Sequence, residues 1–372
     1  MRWIDRFALA VVLLATSPVL AADLAVSLKT LQAVGPQGAG HAAAAEAWQA
    51  VAAAPPEKLP EIIAALDAAQ PLAANWIRAA IDTIAERQLR SKSKPPIKEL
   101  EALVLDTSHT PKARRLAFEW LTRFDSEARE RLVPQFLDDP SVELRRDAVA
   151  RLMKQAETVP EADKPALVKV LRQAFTAARD QDQVDALAKQ LEKLGEKVDL
   201  STHYGFITTW KLIGPFDNTG ESAFEVAYPP EKEINLAATY PGKKDAPLKW
   251  IDHTTSDPYG KVDLNKALGK AMGVVGYATA EFHSDVARDV DLRMDCICAA
   301  KVWLNGEQLG AYNVYHSGSK FDQYVARGKL KAGKNVILVK VLQNEQTQSW
   351  AQDWEFSLRV CDSVGTPVRS NQ

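Results

Sequence analysis

The sequence predicts an α+β protein of two parts, an N-terminal α-solenoid and a C-terminal antiparallel β-sandwich of the jelly-roll type. Two observations predict this division. Up to about residue 200 the chain is rich in Ala, Leu and charged residues, and large apolar residues recur every three or four positions, as in amphipathic helices. Beyond it, Gly, Pro, Thr and Tyr are frequent and apolar residues alternate with polar ones, as in strands. We place the boundary between Val198 and Tyr204.

Residues 1–22 have the layout of a secretory signal peptide. Two arginines precede the apolar run FALAVVLLA, and Val19 and Ala21 have the small-residue spacing of a cleavage site. An uncleaved membrane anchor is the alternative, but about ten apolar residues are few against the roughly 20 that span a bilayer. We therefore expect a mature chain that begins at Ala22 or Asp23. It would be periplasmic or extracellular, with no membrane span after cleavage.

Residues 23–198 are predicted to form a helical repeat domain, because three similar segments each begin with proline, a residue that suits the first turn of a helix. They are PLAANWIRAAIDTIAER, PKARRLAFEWLTRFD and PSVELRRDAVARLMKQAE. In the third, we expect apolar side chains to face inward and charged ones to face water: Val142, Leu144, Val149 and Leu152 against Glu143, Arg145 and Arg146. Helix pairs that bury their apolar faces by stacking on neighbouring pairs are typical of an α-solenoid.

The stretch DDPSVELRRDAVARL resembles the turn and second helix of HEAT-type repeats, and the resemblance extends loosely over residues 57–195. It implies a scaffold whose helical repeats bind a protein partner. The alternative is an Ala-rich helical bundle without a partner surface.

Residues 204–364 are predicted to form the β-sandwich, followed by a tail over residues 365–372. Seven segments read as strands broken by Gly, Pro, Asn or Asp: ITTWKLIGPFDN, APLKWIDH, VVGYATAEFHS, ARDVDLRMDCIC, AAKVWLNGEQLG, NVILVKVLQ and DWEFSLRVCD. In the last, residues from Trp354 to Val360 alternate between an apolar and a polar face, and Cys361 falls on the polar one. Strands in succession without intervening helices favour a sandwich.

Asn305 and Gly306 are predicted to form the two-residue turn of a β-hairpin, since both residue types tolerate the positive φ that such a turn demands. This role explains both residues without a ligand. Trp303 is expected to pack on a sheet face, and Trp354 is expected to lie in the core.

The motifs VWLNG and LKAGKNVILVKV resemble the galactose-binding-like jelly roll found as the sugar-binding domain of family 2 glycoside hydrolases, over about residues 205–362. WKLIGPFDN and YPPE are in addition similar to a domain at the ends of large secreted bacterial proteins of unassigned role. Such relatives carry a Ser-Asp-Asp-Gly type turn before the VWLNG strand, where this chain has Cys296 and Cys298. The resemblance therefore implies a sugar-binding fold, and the departure at this turn argues against a carboxylate ion site there.

A glycan site is predicted in two polar, aromatic loops, residues 311–320 and 343–353. Amide groups bind sugar hydroxyls, and aromatic faces cover the C–H surface of a sugar ring. The candidate ligand-binding residues are Trp350, Asn344, Gln348, Tyr312 and Tyr315.

Other chemistries lack support in the sequence. With 46 Lys and Arg against 48 Asp and Glu, nucleic-acid binding has no electrostatic basis. The three cysteines leave two alternatives, a bridge from Cys361 to Cys296 or Cys298, or buried free thiols. No zinc-ligand spacing, nucleophile elbow, HExxH or dinucleotide fingerprint is present, so we expect no metal, no cofactor and no enzymatic activity.

The leading hypothesis is a non-catalytic exported protein in which the solenoid binds protein and the jelly roll binds glycan. The second is a purely structural component of the cell envelope with no small-molecule ligand. The third is an accessory module of a polysaccharide-degrading system. Exposed aromatic residues on a loop would favour the first, and a buried Trp350 would favour the second.

Overall fold

The α+β architecture is confirmed in the computed structural model, which describes residues 19–91, 94–160 and 162–371. Helices precede an antiparallel β-sandwich. The chain divides into two compact units, residues 1–148 and 149–372. The proposed domain limits of 23–198 and 204–364 stay a prediction. Residues 1–18 of the predicted signal peptide lie outside the described residues. Within the described part of the chain, every helix is too short or too polar to cross a membrane.

Unit 1 is helical, and two of its helices begin at the predicted prolines, Pro71 and Pro111. Its helices are α1 (Val19–Gln32), α2 (His41–Ala52), α3 (Leu59–Ala64), α4 (Pro71–Arg90), α5 (Ile97–Leu105), α6 (Pro111–Phe124) and α7 (Ala128–Leu132), and α8 (Val142–Glu157) spans the boundary between the units. Thr110 caps α6 by accepting a hydrogen bond from the Ala113 amide. Ile77 and Ile81 of α4 and Leu121 of α6 belong to one buried core. The helices are thus confirmed, whereas their stacking as HEAT-like repeats stays a prediction.

The expectation that Arg145 faces water is wrong. Arg145 is buried, and its Nε donates to the carbonyl oxygen of Asp139 at 2.9 Å. Beside it, Arg114 donates from both terminal nitrogens to the Asp139 carboxylate at 2.8 and 2.6 Å, and from Nε to the carbonyl oxygen of Val104. A guanidinium can be buried when a carboxylate and carbonyl groups satisfy its donors. Helical spacing alone does not reveal such partners, because they lie on other segments.

Unit 2 contains the remaining helices and the sandwich. Its helices are α9 (Lys164–Ala177), α10 (Gln181–Lys193), α11 (Leu200–Tyr204), α12 (Pro229–Lys232) and α13 (Leu264–Leu268). Its strands are β1 (Thr209–Asp217), β2 (Tyr240–Pro241), β3 (Pro247–Leu248), β4 (Ile251–Thr254), β5 (Val262–Asp263), β6 (Val274–Ser284), β7 (Arg288–Cys296), β8 (Ala299–Leu304), β9 (Glu307–Tyr312), β10 (Tyr324–Leu330), β11 (Gly333–Gln343) and β12 (Glu355–Cys361).

Two antiparallel sheets pack face to face in unit 2. Six strands follow the order β4-β1-β6-β11-β8-β9, and four follow the order β10-β7-β12-β5. Alternate residues of both sheets meet in one core, which includes Val339 and Val341 of β11 and Leu358 of β12. Trp354 is completely buried there, as predicted.

The predicted hairpin is confirmed between β8 and β9. Asn305 and Gly306 connect the two strands with φ values of 54° and 85°, the left-handed region that such a turn requires. Trp303 is almost completely buried on the outer face of the six-stranded sheet. Its structural role is therefore confirmed.

The polar face of β12 alternates as predicted, but it is buried as well. Ser357, Arg359 and Cys361 are all at least nine-tenths buried. The segment before β1 covers this face, because the carbonyl oxygen of Tyr204 accepts a hydrogen bond from Arg359 and the Ile207 amide donates to β12. All three cysteines are buried and free, so the bridge is not formed.

Candidate functional site

Three loops meet at one end of the six-stranded sheet, because β1 and β11 end there and β6 begins there in register with both. We call the group of side chains that these loops bring together the loop rim. Its members are Asn218, Glu221, Tyr315, His316, Asn344 and Trp350. The loops follow β1, β9 and β11.

Asn218 is the buried centre of the loop rim. Its Nδ2 donates to the Tyr315 hydroxyl at 3.1 Å and to the carbonyl oxygen of Gln343 at 3.0 Å. Its Oδ1 accepts the Ala223 amide at 3.1 Å. One side chain therefore ties the loops after β1 and β9 to the end of β11. Burial raises the pKa of Tyr315, so its hydroxyl stays protonated.

His316, Asn344 and Glu221 form a hydrogen-bonded chain within the loop rim. Asn344 is buried, and its Oδ1 lies 3.0 Å from Nε2 of His316, while its Nδ2 donates to Oε1 of Glu221 at 3.0 Å. This arrangement orients the amide, and the second carboxylate oxygen of Glu221 makes no hydrogen bond to the residues that the structure describes. Nδ1 of His316 is buried and has no hydrogen-bond partner among the described residues.

Trp350 is the exposed member of the loop rim. It lies in a short helical turn, Ser349–Ala351, and 62% of its surface is exposed. Its ring meets the imidazole of His316 edge to face, with ring centroids 5.3 Å apart. Tryptophan side chains are normally buried. An exposed one that packs against a neighbouring ring presents a flat apolar surface to solvent.

Gln343 gives the loop that carries Trp350 its shape. Its Nε2 donates to the carbonyl oxygens of Ala351 at 2.9 Å and Asp353 at 2.8 Å, and its Oε1 accepts the Asn344 amide at 2.9 Å. A buried amide therefore holds both ends of the loop. The position of Trp350 follows from these internal bonds.

The five sequence-predicted residues fall in three places. Trp350, Asn344 and Tyr315 lie together in the loop rim. Gln348 is exposed in the same loop. Tyr312 lies apart, because it stacks on Tyr324 at 4.0 Å between ring centroids and packs against the core of the sandwich.

Sequence reasoning missed Asn218, Glu221 and His316 as members of the site. The polar run DNTGE, which begins at Asp217 where β1 ends, is a signal that could have pointed to the first two. His316 lies in a loop that was predicted to line the site, but nothing in the sequence shows that its ring contacts Trp350.

The arrangement can bind a hydroxylated ring compound. The indole can cover a C–H face, while the carboxylate of Glu221 and the side chain of Gln348 can bind hydroxyl groups. Within the described part of the chain, no group of three or more His, Cys, Asp or Glu side chains is placed to hold a metal ion.

A concavity of about 780 Å³ lies elsewhere, on the outer face of the six-stranded sheet. Its floor includes Leu338, and four of its charged side chains form ion pairs, Lys211 with Asp252 and Lys334 with Glu281. We favour the loop rim as the site because Trp350 is largely exposed there beside amide and carboxylate groups, whereas the two tryptophans that line the concavity, Trp210 and Trp303, are buried.

The comparisons with known proteins give partial likenesses only. No protein-family model and no curated protein matches the chain. A family 35 carbohydrate binding module from an environmental isolate is 19% identical over 27% of this chain and 75% of that chain, with a TM-score of 0.19. A family 35 module from Clostridium thermocellum is 15% identical over 27% of this chain and 85% of that one, with a TM-score of 0.16.

A beta-glucosidase from Kluyveromyces marxianus in complex with glucose is 12% identical over 59% of this chain and 33% of that one, with a TM-score of 0.28. Likenesses with such TM-scores carry no conclusion about function. The function of this chain is therefore argued from its own residues.

Proposed function

We propose that this chain is a non-catalytic, exported binding protein whose β-sandwich binds carbohydrate at the loop rim. The observation that carries the proposal is the exposed indole of Trp350. It contacts the His316 ring edge to face and belongs to the same loop rim as the hydrogen-bonded pair of Asn344 and Glu221. A flat apolar face next to hydrogen-bonding groups matches the mixed surface of a sugar. The helical unit would contact a protein partner, as its repeat-like pattern suggests.

A glycan array followed by calorimetry with the mature protein tests this function. We expect binding to at least one plant, algal or peptidoglycan-derived glycan. Trp350→Ala should weaken that binding by about 1–3 kcal/mol, the value of one large apolar contact. Because Trp350 is exposed, the melting temperature should change little.

Val325→Ala is the matched control, since Val325 is also exposed and apolar but lies on β10, outside the loop rim. It should leave glycan binding unchanged. No binding to any glycan, together with a large fall in the melting temperature of Trp350→Ala, would favour a purely structural component of the cell envelope.

A further inference from the structure

A second cavity lies on the outer face of the four-stranded sheet and shares no lining residue with the loop rim. Its volume is about 640 Å³, within the range of roughly 300–1,000 Å³ that is usual for small-molecule sites. The floor is formed by β7 and β12, and the rings of Phe206, Tyr259 and Phe321 line it. We call it the β7–β12 cavity.

Ser357 lies on the floor of this cavity. It is 6% exposed, and its hydroxyl makes no hydrogen bond to any described residue. Because Ser357 lines the cavity and its hydroxyl has no such partner, the hydroxyl is available to a ligand. Directly opposite on the neighbouring strand is Asp295, which faces the same cavity.

Asp295 is a half-buried carboxylate with no paired cation in the described part of the chain. It accepts hydrogen bonds from the Ser319 hydroxyl at 2.6 Å and the Lys320 amide at 3.2 Å. Burial raises the pKa of Asp295, because the charged form loses solvation. A bound cation would offset that loss.

Three cationic residues line the cavity with Asp295, and two of them, Lys261 and Arg293, are paired with other carboxylates. The ammonium of Lys261 lies 2.7 Å from the carboxylate of Glu355. Arg293 pairs with Asp291 and with Asp322, each at 2.9 Å. The hydrogen-bond donors of Asp295 within the described part of the chain are thus both neutral, and the charge of Lys261 only partly offsets the effect of burial.

The aromatic wall suits a cationic ligand. The rings of Phe206, Tyr259 and Phe321 lie 6.2 to 6.3 Å apart between centroids, at steep angles of 75° to 82°. Ring faces attract cations, and they also cover apolar C–H surfaces. Tyr259 is held in place by its hydroxyl, which hydrogen-bonds to Asp185 of α10.

We propose that the β7–β12 cavity binds an amino sugar, with the protonated amine on Asp295 and a ring hydroxyl on Ser357. An ammonium supplies the charge that Asp295 lacks, and a sugar ring places C–H groups against the aromatic wall. This site is separate from the loop rim and does not depend on the function proposed for it.

The test is calorimetry of the full mature protein with D-glucosamine, N-acetyl-D-glucosamine and D-glucose in mildly acidic buffer, where the amine of glucosamine is protonated. Only glucosamine carries a charge. We expect it to bind about tenfold or more tightly than the other two, the effect of one charge-assisted hydrogen bond. Equal affinity for the three sugars, or no binding of glucosamine, overturns the proposal.

Three variants locate the interaction. Asp295→Asn keeps an acceptor for Ser319 but removes the charge, so it should abolish the preference for glucosamine. Asp289→Asn, on the same strand but exposed and outside the cavity, should preserve it. Trp350→Ala should also preserve it, which separates this site from the loop rim.

Ser357→Ala is a second, independent test of the proposed site if Asp295→Asn does not fold. It should weaken glucosamine binding several-fold, and circular dichroism verifies that each variant is folded. Retained preference in folded Asp295→Asn, or unchanged affinity in Ser357→Ala, contradicts the proposed contacts.

Discussion

Single buried charges determine how segments of this protein are held. Lys340 is completely buried on the outer face of the six-stranded sheet, where lysine is rare. Its ammonium donates to the carbonyl oxygens of Ala223 and Val226 at 2.9 and 2.8 Å and pairs with Glu231 at 2.8 Å. Burial lowers the pKa of Lys340, although the pair with Glu231 acts in the opposite direction. The lysine thereby ties the segment after β1 to the sheet.

His203 should make stability depend on pH. Burial and then the charge of Arg179 lower its pKa from 6.5 to about 4. As the pH falls below about 6.5, His203 takes up a proton in the unfolded chain but stays neutral in the folded chain. The free energy of unfolding therefore falls until about pH 4, where the folded chain is protonated as well. His203→Gln should lose less stability between about pH 7 and pH 5 in urea unfolding.

His41→Gln is the control for this measurement, because His41 is exposed and lies in the other unit. It should show the same dependence on pH as the unaltered protein. Identical slopes for His203→Gln and the unaltered protein would show that His203 does not titrate as its environment predicts.

The β8–β9 hairpin is an element whose geometry depends on its turn. Gly306 has a φ of 85°, and a Cβ added there would meet no atom within 4 Å. The cost of a side chain at this position therefore comes from the backbone conformation and not from a clash. Gly306 differs in this respect from Gly276, where a Cβ would clash with the ring of Trp354.

Gly306→Val should lower the free energy of unfolding by about 1 kcal/mol or more, because a β-branched residue is strained at positive φ. Gly306→Asn should cost less, because asparagine tolerates this region. Denaturant unfolding of both variants measures the difference. Equal stability of the two would mean that the turn relaxes to another conformation.

At the scale of the whole molecule, α9, α10 and α11 belong to the compact unit that contains the sandwich. The Tyr259 hydroxyl bonds to Asp185 of α10, and Arg179 contacts the Thr366 hydroxyl. His203 of α11 packs on Phe175 of α9 with ring centroids 4.3 Å apart. The sandwich therefore has helical partners within its own unit.

Truncated chains test this grouping. A chain that begins at residue 158 keeps α9 to α11, whereas one that begins at residue 200 loses the partners of Tyr259 and His203. We expect the longer chain to melt at a higher temperature. Equal melting temperatures, or release of a stable fragment by proteolysis near residues 196–206, would instead support a boundary near residue 200.

The sequence by itself determined that helices precede an antiparallel β-sandwich, and it determined most strands and the β8–β9 turn, because periodicity and turn chemistry are local properties. It also singled out Trp350, Asn344 and Tyr315, which the structure brings together in the loop rim, since aromatic and amide groups close together in a loop are visible in a sequence. Only the tertiary structure decided that Tyr312 stacks elsewhere on Tyr324 and that His316 supports Trp350. Only the tertiary structure shows, in addition, that the polar face of β12 forms part of the floor of a cavity. These outcomes depend on which distant segments cover a face, and alternation along one strand carries no information about what packs on top of it.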